Sequence, residues 1–217
     1  MDGRKVDLAA WPRREYWNHY MNRVRCTYSM TANLDITDLL PELKARSLKL
    51  YAAQIYMLTR IVNRHEEFRY NTGPDGEPVL YDALIPSYTV FYADDQTFSS
   101  LWTPCGASFR AFHAAYLEEL RRYGDVRGTE GKPDQPENCF WISSIPWTHF
   151  TGFQLNIYGD GRDMSPIFTF GKYACENGRT LLPLSAQVHH AVCDGFHTAR
   201  LFEEMQALCD GKDWLDR

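Results

Sequence analysis

The chain has 217 residues, 44% apolar and 24% charged, with a mean hydropathy of −0.44. That is a globular composition, and the 14% aromatic share with a net charge of only −5 excludes a disordered chain. A pI near 5.8 gives no electrostatic reason to expect nucleic acid, and no apolar run approaches the ~20 residues of a membrane-spanning helix.

No Gly/Ser or Pro linker splits the chain, so one domain over residues 1–217 is expected. The opening Met1-Asp2-Gly3-Arg4-Lys5-Val6-Asp7 lacks an export signal's apolar stretch, so a cytoplasmic location is expected. The six cysteines (Cys26, Cys105, Cys139, Cys175, Cys193 and Cys209) form no CxxC pair, and they are expected as free thiols in the core.

Along the chain, Trp11–Arg23 reads as a helix, with Pro12 suited to its first turn. Arg25–Leu34 is β-rich and loosely alternating. Thr37 can cap a helix through Lys44, and a second apolar helix runs from about Leu48 to Arg64. The turn Asn71–Gly76 joins two short strands, and Ser87–Tyr92 reads as a strand. Ala107–Tyr123 is a further helix, followed by a polar loop over 124–138. Segments 139–145, 152–158, 166–174 and 180–190 are short, turn-bounded and β-branched or aromatic, so strands are expected. Gly195–Leu208 closes as an amphipathic helix. The sum is an α/β two-layer sandwich: one large mixed β-sheet with helices packed mainly on one face.

Chemistry concentrates in Gln187-Val-His-His-Ala-Val-Cys-Asp-Gly-Phe-His197. An apolar strand delivers two histidines into a bend, with an aspartate four residues after the second. An imidazole near neutral pKa is the natural base for a hydroxyl or thiol proton, and Asp194 can order the bend by pairing with a distant cation. The structural alternative is one buried and one exposed histidine beside an ordinary Asp-Gly turn. A metal set of His189, His190, Asp194 and His197 fits no helical ligand spacing, and a Cys193–His190 nucleophile pair lies in no hydrolase signature.

That string resembles the signature of the chloramphenicol acetyltransferases, within the wider HxxxDG acyltransferases that use coenzyme A thioesters. Trp11-Pro-Arg-Arg-Glu15, Cys26-Thr-Tyr28, Thr89-Val-Phe91, Thr97–Trp102, Ser143 followed by Pro146-Trp147, and Phe168–Tyr173 fall in family order, so the resemblance spans essentially the whole chain. It implies a CoA-dependent acyltransferase-like fold and direct acetyl transfer from acetyl-CoA to the primary hydroxyl of chloramphenicol, giving antibiotic resistance. No acyl-enzyme, permanently bound cofactor or metal is implied. The alternative is a related CoA-dependent O-acyltransferase acting on another small alcohol or thiol.

By the same resemblance His190 is the general base, Ser143 the oxyanion donor and Thr169 the holder of an ordered water. Arg13 and Asp194 form a buried ion pair that fixes the base. Tyr20, Cys26, Tyr28 and Trp141 belong to the acceptor pocket, and Pro146, Lys172 and Tyr173 to the coenzyme tunnel. A homotrimer is implied, each interface taking His190 from one subunit and much of the acceptor pocket from its neighbour. The segment Ile157–Met164 departs from the family's more apolar stretch and bears on the acceptor rather than the chemistry. His19 replaces a common phenylalanine, and Tyr51-Ala52 a usual Tyr-Pro.

Overall fold

A computed structural model describes residues 3–157 and 159–216. Met1 and Asp2 of the opening and Tyr158 of the divergent segment lie outside the described residues. In chain order the elements are β1 (Arg4–Lys5), α1 (Arg14–Asn22), β2 (Thr27–Asp35), α2 (Leu39–Ala45), α3 (Leu50–Arg64), β3 (Tyr70–Thr72), β4 (Pro78–Leu80), β5 (Ile85–Tyr92), β6 (Thr97–Trp102), α4 (Phe109–Tyr123), β7 (Cys139–Ile145), β8 (Ile167–Gly171), β9 (Ala174–Glu176), β10 (Arg179–His189) and α5 (Gly195–Asp210).

The main sheet has the order β2-β10-β8-β7-β5-β6, with β9 on the end of β10. It is mixed, because β7 runs parallel to both β5 and β8 while the other pairings are antiparallel. A small sheet, β1-β4-β3, holds the expected hairpin.

Strand alternation divides the main sheet into two unlike faces. One carries Leu182, Leu184, Ala186, Val188, Phe168, Phe170, Phe140 and Ile142, all buried in one cluster with the apolar stripes of the helices. α3 supplies much of that cluster, including Ile55, Tyr56, Leu58, Ile61 and Val62, which is why its sequence is apolar almost all round. The other face carries Ser143, Thr169, Ser185 and Gln187; Ser143 registers with Thr169, and Thr169 with Ser185. Helices on one face of a mixed sheet are therefore present as expected.

Several local expectations are corrected. Thr37 caps nothing: its hydroxyl donates to Asp35 Oδ1 and accepts from Thr180 N, and Asp38 is the residue before α2. Thr97–Trp102, given no element from sequence, pairs with β5 across a turn in which Gln96 has φ 59°. Residues 152–157 form no strand; their backbone is held by side chains of β10, Ser185 donating to Phe153 O and Gln187 accepting from Leu155 N. Of the cysteines, Cys139, Cys193 and Cys209 are buried, Cys26 and Cys105 are intermediate, and Cys175 is exposed.

Gly171 ends β8 under a ring. A Cβ there would lie 2.6 Å from Pro183 Cγ and 2.8 Å from Phe150 Cε1. Gly171→Ala is expected to lower stability by about 1–3 kcal/mol through overpacking. Denaturant midpoints at fixed protein concentration check this; an unchanged midpoint would show that Phe150 moves aside freely.

Candidate active site

His190 is the first residue past the β10 ladder, so the sheet alone does not fix it. Four neighbours do. Its N–H donates to Cys26 O (2.9 Å). Its carbonyl accepts from Arg13 Nη2 (3.4 Å), and that of Ala191 from Arg13 Nε (3.3 Å). His189, 2% exposed, turns back so that its Nδ1 accepts from Ala191 N (3.1 Å).

Arg13 also grips Asp194 with both terminal nitrogens, Nη1–Oδ2 at 2.7 Å and Nη2–Oδ1 at 3.0 Å. A fork-on-carboxylate pair is among the strongest hydrogen-bonded arrangements and fixes both planes. The two side chains are 19% and 33% exposed, so the pair is partly buried in the single chain. Through those hydrogen bonds Arg13 holds the Asp194 carboxyl below the usual carboxylate range, against a smaller effect of burial. Asp194 N donates to His197 Nδ1 (2.9 Å) at the start of α5, and burial pushes His197 below the ordinary imidazole range.

The His190 ring is held by aromatic faces and by charge. Tyr20 stacks on it at 4.3 Å with planes 10° apart, and Tyr28 meets it edge-on at 5.3 Å. Nδ1 is buried 3.3 Å from Asp194 Oδ1, outside hydrogen-bond alignment. A carboxylate on that side favours the tautomer protonated at Nδ1, which leaves the Nε2 lone pair as the proton acceptor. Tyr28 OH bonds Thr198 Oγ1 at 2.6 Å, and burial raises its pKa, so it stays a neutral phenol. Burial likewise pushes the Cys193 thiol up to about 12, which removes the thiolate that a Cys193–His190 nucleophile would need.

Ser143 and Thr169 stand elsewhere. They line a cavity of about 250 Å³ with Thr89, Phe91, Phe98, Trp147, Phe153 and Leu155. Phe91, Phe98, Trp147 and Leu155 are 42%, 54%, 56% and 41% exposed, an unusual concentration of open apolar side chains. Pro146, Lys172 and Tyr173 follow at the same ends of β7 and β8, with Lys172 N donating to Thr148 O (2.8 Å). Trp141 lies two residues back along β7, in a different groove with Thr72, Arg162 and Asp163.

The register measures the gap. Ser143 lies level with Thr169 and Ser185, and His190 lies five residues beyond Ser185. At about 3.3 Å per residue that is about 16 Å along the sheet, with two further spacings of about 4.8 Å between β10 and β7. One substrate cannot touch both side chains of one chain. Tyr20, Cys26 and Tyr28 sit beside His190 of their own chain, so these three of the expected acceptor-pocket residues stand on the side of His190 and not of Ser143. Of the histidines in that string, His189 and His197 each turn Nδ1 to a backbone N–H.

Sequence reasoning gave no role to Phe98, Phe153, Leu155, Ser185 or Gln187. The alternation of Ser185 and Gln187 opposite Leu184, Ala186 and Val188 was the available signal, since polar side chains on an interior strand mark a face that binds something other than a helix.

The family described as chloramphenicol acetyltransferase matches residues 1–206. Among curated relatives, a chloramphenicol acetyltransferase of Clostridium perfringens is 50% identical over 97% of this chain and 96% of its own length. One of Vibrio anguillarum is 46% identical over 95% and 94%, and one of Streptomyces acrimycini 44% over 97% and 96%. A solved chloramphenicol acetyltransferase superposes with a TM-score of 0.81, at 23% identity, covering 96% of this chain and all of that one. The dihydrolipoamide acetyltransferase of Azotobacter vinelandii shares the fold at a TM-score of 0.68 and 18% identity, over 93% and 86%. On the extent and identity of these matches, the chain belongs to the chloramphenicol acetyltransferase family.

Proposed function

We propose that this chain transfers the acetyl group of acetyl-CoA directly to the primary hydroxyl of chloramphenicol, at sites formed between the subunits of a homotrimer. The carrying observation is the separation of His190 from Ser143 within one chain, each at an open, aromatic-lined place. A second copy that brings its His190 against the Ser143 cavity completes a base, an oxyanion donor and an apolar pocket in one volume. Covering that cavity also buries Phe91, Phe98 and Trp147, the residue type enriched in interface cores.

In this reading His190 Nε2 accepts the hydroxyl proton as the oxygen attacks the thioester carbon. The resulting oxyanion accepts a hydrogen bond from Ser143 Oγ. Collapse breaks the carbon–sulfur bond, and the departing CoA thiolate takes the proton back from His190. Thr169, level with Ser143 on β8, holds a water beside the reacting centre. Pro146, Lys172 and Tyr173 lie along the approach of acetyl-CoA. Chloramphenicol lies between the aromatic wall and the Tyr20, Cys26 and Tyr28 side of the neighbouring copy. No helix is long and apolar enough to cross a membrane among the described residues, and a cytoplasmic site of action suits a reaction that consumes acetyl-CoA.

Thiol release with acetyl-CoA and chloramphenicol tests the activity. His190→Ala is expected to fold and lose about 10²–10⁴ in rate, and Ser143→Ala about 10²–10³. Refolded together, the two inactive chains should regain activity, because some interfaces join an intact His190 to an intact Ser143. Mixed oligomers that form and stay inactive would refute the shared site, as would an active monomer in sedimentation.

The Arg13–Asp194 pair yields a pH prediction. Asp194 binds its proton more weakly folded than unfolded. Its contribution is therefore complete above the ordinary carboxylate range and is lost as pH falls through the depressed native value. Asp194→Asn is expected to cost about 1.5–3 kcal/mol at neutral pH, the range for hydrogen bonds to a charged group, and to flatten the acid limb of stability against pH. An acid limb identical in wild type and variant would show that the pair contributes nothing to that titration.

A further inference from the structure

The wall of the Ser143 cavity contributed by Phe153 and Leu155 is not built from the sheet. These residues belong to a stretch without regular secondary structure between β7 and β8. Around these two residues it is pinned to the sheet at three points. The Phe150 ring lies over Gly171, where even a Cβ would collide. Ser185 Oγ donates to Phe153 O at 2.6 Å. Gln187 Oε1 accepts from Leu155 N at 2.9 Å and from Ser29 Oγ at 3.2 Å, so β2 fixes the amide's orientation.

Ser185 and Gln187 are 3% and 8% exposed. They are two residues apart on one face of β10, and their targets are two residues apart on the pinned stretch. Side chains here take the place of a missing strand ladder. Among the described residues, these two bonds are the ones that tie the backbone of 152–157 to the sheet.

We propose that Ser185 and Gln187 are specificity-determining positioning residues: by setting where Phe153 and Leu155 stand, they decide which aromatic-bearing alcohol the cavity accepts. The inference rests on the reading of that cavity as the acceptor site. Neither residue touches the reacting atoms. Ser143 and Thr169 are held by strand pairing on β7 and β8 and do not depend on these bonds, so the acceptor should respond to their loss and the chemistry should not.

The test is steady-state kinetics of Gln187→Met and Ser185→Ala, with chloramphenicol and acetyl-CoA varied separately, and thermal midpoints alongside. The expected result is a KM for chloramphenicol raised about fivefold for each bond removed, with kcat and the KM for acetyl-CoA within about twofold of wild type. Should Gln187→Met fail to fold, Ser185→Ala, which removes one oxygen, carries the test alone. Folded variants with an unchanged chloramphenicol KM would overturn the proposal, as would equal rises in both KM values or a kcat loss at constant KM. A wild-type protein that acetylates some other alcohol and not chloramphenicol defeats the acceptor reading beneath the proposal, and that result is visible before any variant is made.

Discussion

Arg13 reaches across nearly the whole length of the sequence to hold the turn that carries His190. Its guanidinium meets the Asp194 carboxylate with two bonds and the carbonyls of His190 and Ala191 with two more. A residue just past a strand has no ladder partner to define it, and a base displaced by about 1 Å can lose on the order of 10² in rate. The clamp supplies the missing definition. Because it joins the start of α1 to the start of α5, the base is placed only when both ends of the chain are docked. The pair is partly exposed, and partly solvated pairs add modestly to stability, so its chief effect is geometric.

The same logic explains the length of β10. Its eleven residues pair with β8 over Leu184–Gln187 and with β2 over Leu181–His189. The strand outruns β8 and delivers His190 well beyond the level of Ser143 and Thr169. A short central strand beside a long one thus separates His190 from Ser143 within a chain. Assembly of copies becomes a condition of catalysis in the proposed trimer, not an addition to it.

Much of this was legible in the sequence, for identifiable reasons. α3, α4 and α5 keep long helical periods, and the β10 run into His-His is unmistakable, so the layers and the base loop follow from pattern alone. Thr37 misled because its hydroxyl meets Asp35 and Thr180, a tertiary choice that a capping rule cannot see. The strand expected at 152–158 misled because an aromatic, β-prone composition served to cover a face, the backbone of Phe153 and Leu155 being bonded by side chains instead of a strand. β6 was missed although Asp95 and Gln96 make an ordinary hairpin turn, since Asp95 Oδ1 accepting from Thr97 N is a local signal too short to stand out. Of the site, Ser143, Thr169 and Arg13 were singled out only by the family resemblance, and the grouping of the site residues was not legible. Linear order says nothing about Tyr20, Cys26 and Tyr28 collecting around His190 while Ser143 and Thr169 stand about 16 Å further along the sheet.

Three kinds of support therefore carry three parts of the proposed reaction. Strand ladders hold Ser143 and Thr169, and each shift in register would turn them to the helical face. A charged clamp and stacked rings hold His190. The acceptor wall hangs on two hydrogen bonds and one ring over a glycine. Each such bond contributes only about 1 kcal/mol, a small fraction of what is needed to dislodge a strand from the middle of a sheet. In the proposed reaction the acceptor wall is thus the part held most weakly, while strand ladders and the clamp hold the groups assigned to acyl transfer.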